Sequence, residues 1–206
     1  MRKMTRMRRC LPVLMVFSVI LFAACGDEDG PTEPQVTTYL SEGWDKFAEE
    51  SYTEALGKFQ AAVNEDGGLG DGWNGIGWTC LRLDSLDAAM EAFDRAVAKG
   101  YIGAGAQAGR CLIFNLRDEF RQSVFAGMRA IEIDPAFELE GDRTIDIRDV
   151  RLAMAQSYFA LSEYEEARSQ MVIIDPKYEA LNPNSATFLQ DLIGSLEELT
   201  ETLSLF

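Results

Sequence analysis

Three columns of small residues recur at a step of 34 along this chain: Gly43, Gly77 and Cys111; Ala55, Ala89 and Ser123; Ala62, Ala96 and Ala130. Helices approach closely only where side chains are small, and an antiparallel helix pair of fixed length places those gaps at fixed offsets. A constant period of this size is the mark of stacked helical hairpins. Trp73, Ile76, Gly77, Ala89, Phe93 and Ala96 form the fullest copy of the pattern. The spacing therefore predicts an all-α fold, a right-handed α-solenoid of about four hairpins, which is a scaffold for binding.

The first hairpin is expected over residues 37–66, the second over 71–99 with Gly100 as a left-handed stop, and the third over 103–133, ended by Asp134-Pro135. The third is degenerate, because Gly127 stands where Phe59 and Phe93 stood and leaves a gap for a neighbour to fill. After Pro135 the register slips by ten residues, which assigns an insertion to residues 134–149, between helices, where extra chain costs little. A fourth hairpin follows over 147–175, so the repeat domain as a whole is 37–182. Asn182-Pro183-Asn184-Ser185 then reads as a helix start, and Leu189, Leu192, Leu196, Leu199 and Leu203 make one apolar stripe over residues 183–206. This last helix is expected to cap the open face of the fourth hairpin; the alternative is a leucine seam that joins two copies.

Residues 1–24 read as a secretory signal, with Arg2, Lys3, Arg6, Arg8 and Arg9 ahead of an apolar run from Leu11 to Ala24. That run is shorter than the roughly 20 residues a membrane-spanning helix needs. Residues 25–36 hold charge, Gly and Pro with little to bury, which is the composition of a flexible tether. Removing residues 1–24 takes away five basic groups and no acids, so the net charge of −15 for the whole chain becomes −20. So anionic a surface repels phosphate backbones and anionic head groups, and no nucleic-acid partner is expected. Cys80 and Cys111 are the cysteines left inside the repeats, read as two buried small hydrophobes, with a disulfide as the alternative in an oxidising compartment.

Residues 37–176 resemble the tetratricopeptide repeat (TPR) family, on Trp73-x-x-Ile76-Gly77, Ala89-x-x-x-Phe93 and Ala96, with Cys80 where that family usually has tyrosine. Leu21-Phe22-Ala23-Ala24-Cys25-Gly26 resembles a bacterial lipobox, with Phe22 in place of the usual leucine. Together these resemblances imply a lipid-anchored TPR lipoprotein acylated on Cys25. Two acyl chains suffice to hold a soluble domain at a membrane. Gly26, where a retained inner-membrane lipoprotein would carry Asp, favours the outer membrane facing the periplasm. Lipid-anchored proteins of this family include barrel-assembly lipoproteins, secretin pilotins and protease adaptors, so the implied partner is another envelope protein.

Little in the chain suggests chemistry. Histidine is absent, which removes the usual general base and the commonest neutral metal ligand. Gly70-Asp71-Gly72-Trp73-Asn74-Gly75 fits a nucleotide-binding string, but it follows a helix instead of a strand and reads as a hairpin linker. Glu138, Glu140, Asp142, Asp146 and Asp149 crowd the insertion without the spacing of a calcium loop. No catalytic residue, metal, cofactor or small-molecule substrate is expected. The groove slots that the TPR resemblance carries over are Leu40, Trp44 and Phe47; Asn74, Trp78 and Arg82; Leu112 and Asn115; and Leu152, Gln156 and Phe159. Trp44, Trp78 and Phe159 are the expected anchors for a partner peptide, with Asn74, Asn115 and Gln156 holding its backbone, and Phe47 and Arg82 complete the expected partner contacts. The competing expectation is that the tether or the C-terminal helix folds back over these aromatics.

Overall fold

Residues 33–203 are described by the computed structural model, in which four helical hairpins stack in chain order. They are α1 (Glu33–Ala48) with α2 (Tyr52–Glu65), α3 (Gly70–Arg82) with α4 (Leu86–Ala98), α5 (Gly105–Leu116) with α6 (Phe120–Ile133), and α7 (Ile147–Ala160) with α8 (Tyr164–Ile174). A 3-10 turn at Pro176–Ala180 leads to α9 (Phe188–Leu203). The first helix therefore begins earlier than its apolar pattern suggests, and α9 begins after the Asn-Pro-Asn-Ser turn, not within it. Residues 1–24 and Cys25 lie outside the described residues.

One turn geometry serves all four hairpins. The second residue after each first helix is in the left-handed region, Glu50, Asp84, Asp118 and Ser162, with φ between 56° and 64°. The next backbone N–H reaches back to a carbonyl five residues earlier: Ser51 to Lys46, Ser85 to Cys80, Glu119 to Phe114, Glu163 to Tyr158. This wrap closes the helix end and turns the chain into its antiparallel partner.

The small-residue columns do what their spacing implies. Phe59 sits against Gly43 of its own hairpin and Gly75 of the next, and a Cβ at either glycine would fall within 2.6 Å of the ring. Phe93 repeats the arrangement between Gly77 and Gly109, where a Cβ would come to 2.2 Å. Both rings are fully buried. In the third hairpin the missing phenyl at Gly127 is replaced by Met154 of α7, whose sulfur would stand 2.5 Å from a Cβ at Gly127. The slot that lacks its own ring is thus filled from the next hairpin.

The insertion departs from the all-α expectation. It forms an antiparallel β-hairpin, β1 (Glu138–Leu139) and β2 (Asp142–Asp146), turned at Gly141 with φ of 80°. Far from looping out, it buries Phe137, Leu139 and Ile145 to 5% exposure or less in the core that runs from the first hairpin to α7. A capping box starts α7 directly after it, the Asp146 carboxylate accepting from the Arg148 N–H and that of Asp149 from the Asp146 N–H. The second core belongs to the last hairpin, where Met171, Leu152 and Tyr178 meet Phe188, Leu192, Leu196 and Leu199. With those α9 side chains turned inward, the seam expected for dimerisation keeps Leu189 exposed, beside Ile193. Cys80 and Cys111 are both buried free thiols, not a disulfide.

Candidate partner-binding surface

Helices α1, α3, α5 and α7 lie side by side, each touching the next first helix, and their outward rows form one wall. The expected groove residues are all on it, but they do not make one open groove. Trp44, Phe47, Asn74 and Trp78 are buried, and among the described residues the cover over the first two hairpins is not the C-terminal helix. It is the β-hairpin. Phe137 stacks over Trp78 with ring centroids 6.4 Å apart and planes 22° apart. The Gly141 turn rests on Trp44 so closely that a Cβ there would stand 3.0 Å from its carbonyl oxygen. At the far end of α3, Arg82 Nη2 donates to Asp142 Oδ2 at 2.5 Å. Burial works against the Asp142 carboxylate, but hydrogen bonds from Thr144 and Arg82 outweigh it and hold the group below the usual carboxylate range.

Further along the wall, Asn115 is engaged within the chain. Its Nδ2 donates to the Ala153 carbonyl and to Ser157 Oγ, each at 3.1 Å, which clips α5 to α7. Leu112 and Leu152 are core. The remaining two candidates, Gln156 and Phe159, border a cleft of about 390 Å³ between α7 and α9, shared with Ile193, Leu196, Glu197, Thr200 and Glu201. Gln156 Nε2 donates to Thr200 Oγ1 at 2.9 Å, and Phe159 leans on Tyr164 at 5.3 Å between centroids. Phe159 is half-buried and Ile193 is exposed. The eight expected contacts therefore divide in two: Trp44, Phe47, Trp78 and Arg82 under the hairpin, with Asn74 against Gly105 and Asn115 against α7 within the packing, on one side, and Gln156 and Phe159 beside an open cleft on the other.

Sequence reasoning missed the hairpin's part in this surface. The signal was present as the alternation of Phe137, Leu139, Ile145 and Ile147 with polar residues, the period of a half-buried strand. The carboxylates that drew attention there are individually engaged, Asp142 with Arg82 and Thr144, Asp146 with Arg148, and Asp149 with the Asp146 N–H. Among the described residues no group of three His, Cys, Asp or Glu side chains is placed to hold a metal ion. Burial pushes the Cys111 thiol up to about 12 and the Cys80 thiol up as well, so neither is a ready thiolate nucleophile. No helix among the described residues is long and apolar enough to cross a membrane.

No protein-family model matches the chain, and no curated protein sequence matches it. Solved structures do. The chain is similar to MamA at a TM-score of 0.59 and 15% identity, covering 82% of this chain and 92% of that one. It is similar to YrrB, described as a TPR protein with an unusual peptide-binding site, at 0.61 and 14% identity over 84% of this chain and 92% of that one. PilF of Pseudomonas aeruginosa matches at 0.59 and 11% identity, over 83% and 76% of the two chains. The fold of the described residues is the tetratricopeptide-repeat solenoid.

Proposed function

We propose that the chain is a lipid-anchored adaptor of the cell envelope that holds a segment of a partner protein in the cleft between α7 and α9. The observation that carries this reading is the division of the wall: the chain's own hairpin lies over Trp44 and Trp78, while Phe159, Gln156 and Ile193 remain at an open cleft. An exposed apolar residue beside a half-buried aromatic and a free-rimmed cleft is the form that interface anchors take. Glu197 and Glu201 stand on its rim and no Lys or Arg lines it, so a partner segment with basic residues beside an apolar one fits best. Lipid on Cys25 supplies attachment, and the outer membrane facing the periplasm is the proposed location. The absence of histidine and the high thiol pKa values favour a role without catalysis.

In-cell photocrosslinking from position 197 on the cleft rim, with identification of the captured protein, tests the cleft. Phe159→Ala with Ile193→Ala is expected to lower capture by more than about tenfold while the melting temperature stays within a few degrees, since anchors of this kind each contribute upwards of about 1 kcal/mol. Undiminished capture refutes the assignment. Anchoring is tested separately by Cys25→Ser, which is expected to abolish incorporation of labelled palmitate and release the protein from membranes.

A further inference from the structure

The outward row of α6 breaks the pattern set by the second helices before it. At a step of 34 the row reads Thr53, Gly57 and Gln60 on α2, then Asp87, Glu91 and Asp94 on α4, all exposed and without one large apolar side chain. On α6 the same positions become Arg121, Phe125 and Met128, with Phe125 66% and Met128 56% exposed. Neither side chain serves the core, and two large apolar side chains one turn apart in a row that is otherwise solvated mark a contact surface. Beside them, Phe125 and Arg121 join Arg110 and Phe114 in lining a hollow of about 400 Å³ between α5 and α6. The third hairpin is also the only one of the four in which basic residues outnumber acids, four arginines to three over Gly105–Ile133.

The complement lies on α9. This helix has four acids and no base, and outside the second core it shows Leu189 and Ile193, 46% and 42% exposed, followed along the same side by Glu197 and Glu201. Arg121, Glu197 and Glu201 have no ion-pair partner among the described residues. Gly194 weakens the helix it sits in, yet nothing in the chain lies within 4 Å of where its Cβ would be. A second helix crossing at that point explains the missing side chain. Laid antiparallel, α6 and α9 keep register: with Phe125 opposite Ile193, Arg121 faces Glu197 and Met128 falls beside Leu189 and Gln190. Opposite charges then meet at one end and apolar side chains along the rest.

We infer that the segment held at the α7/α9 cleft is α6 of a second copy of this chain, docked antiparallel to α9. The inference rests on the reading of that cleft as a docking site and gives it an occupant of the chemistry its rim selects, an arginine beside a phenylalanine and a methionine. Neither α6 nor α9 belongs to the wall of first helices. Because the two surfaces differ, the contact is head to tail: each copy presents one of each, and copies add in rows or close into a ring.

The test uses two full-length chains with different tags, co-expressed, one carrying Gln122→Cys and the other Gln190→Cys, in cells treated with a short bismaleimide. The native Cys80 and Cys111 are buried and do not react. A product bearing both tags is expected, while each cysteine coupled to its own kind stays at background, since head-to-tail docking keeps like positions apart. Phe125→Ala on the first chain is expected to lower the mixed product at least about tenfold with no loss of melting temperature, because the ring is exposed. Arg121→Glu is expected to lower it by a similar factor, and Glu197→Arg on the second chain to restore it to within about twofold, a reversal that a merely structural role does not give. No mixed product above the single-cysteine controls, like products as abundant as the mixed one, or a mixed product indifferent to both Phe125→Ala and Arg121→Glu overturns the inference. Photocrosslinking from position 197 separates its failure from that of the reading beneath it. Capture of a different protein there leaves the cleft a docking site and removes the second copy as its occupant; no capture at all removes both.

Discussion

Gly109→Ala tests the packing on which the whole stack depends. A methyl at this position meets Phe93 Cζ at 2.2 Å and Cε2 at 2.4 Å. The ring cannot retreat, because it is fully buried and its other flank rests on Gly77, where a Cβ would come within 2.5 Å. Replacing glycine by alanine inside a helix gains about 1 kcal/mol of helix propensity. Overpacking a core of this kind costs about 1–3 kcal/mol, and a contact far inside the van der Waals distance on a ring pinned from both sides lies at or beyond the upper end. The steric loss wins, leaving a net destabilisation of about 2 kcal/mol, or about 4–8 °C in melting temperature for a domain of this size. Gly57→Ala is the matched control, since it lies in the interior of α2 with nothing within 4 Å of the added methyl. It should raise the melting temperature by about 2–4 °C through propensity alone. Urea and thermal melts of both variants decide the matter. If Gly109→Ala melts at or above the wild-type temperature, the glycines are not there to admit the phenyl rings.

Asp149 supplies a pH prediction. Burial pushes its carboxyl up to about 6 from an ordinary 3.8, so the folded state holds a proton that the unfolded state has released. Its contribution to stability therefore falls as pH rises from about 4 to about 6. The difference between Asp149→Asn and the wild type should move in favour of the variant across that window, measured by urea midpoints; a constant difference refutes the assignment. The thiols offer a simpler check: a disulfide reagent should leave Cys111 unmodified in the native domain and titrate both Cys80 and Cys111 in urea, as their burial requires.

The solenoid was legible because its determinants are local and repeated. Gly43, Gly77, Ala55, Ala89, Phe59 and Phe93 each answer to a neighbour a fixed number of residues away, so the period alone carries the contact. The groove was legible only as a row of residues on the first helices. Whether Trp78 faces solvent depends on what lies over it, and Phe137, in a different hairpin's connection, is not implied by any spacing around Trp78. The insertion's ladder was hidden by its carboxylates, which suggested a solvated or cation-binding segment although Phe137, Leu139 and Ile145 already alternated. The tight turns were hidden too, since left-handed positions are sought at Gly or Asn and this chain fills them with Glu50, Asp84, Asp118 and Ser162. At those four sites the repeated wrap, not the residue type, sets the conformation.

The third hairpin shows how the insertion is accommodated, and it yields a counterintuitive prediction. By the repeat pattern Gly127 should be phenylalanine, and a pattern-restoring Gly127→Phe would ordinarily be chosen to stabilise the domain. Here the space already belongs to Met154, with its Sδ 2.5 Å and Cγ 2.6 Å from where a Cβ would be, and the Cys111 sulfur lies at 3.0 Å. The methionine enters from α7, which Asn115 draws against α5 through its two bonds to Ala153 and Ser157. That approach lets the fourth hairpin stack directly on the third although the inserted residues intervene, and it leaves the hairpin free to turn into the groove instead of wedging the stack apart. Gly127→Phe should therefore cost about 1–3 kcal/mol by overpacking. Met154→Ala alone should cost about 2–5 kcal/mol by opening a cavity. Combined, the new ring fills the vacated space, and the double variant should be more stable than the sum of the two losses by at least about 1 kcal/mol, the coupling expected of residues that share one site. Additive losses would mean that Met154 does not stand in for the missing ring.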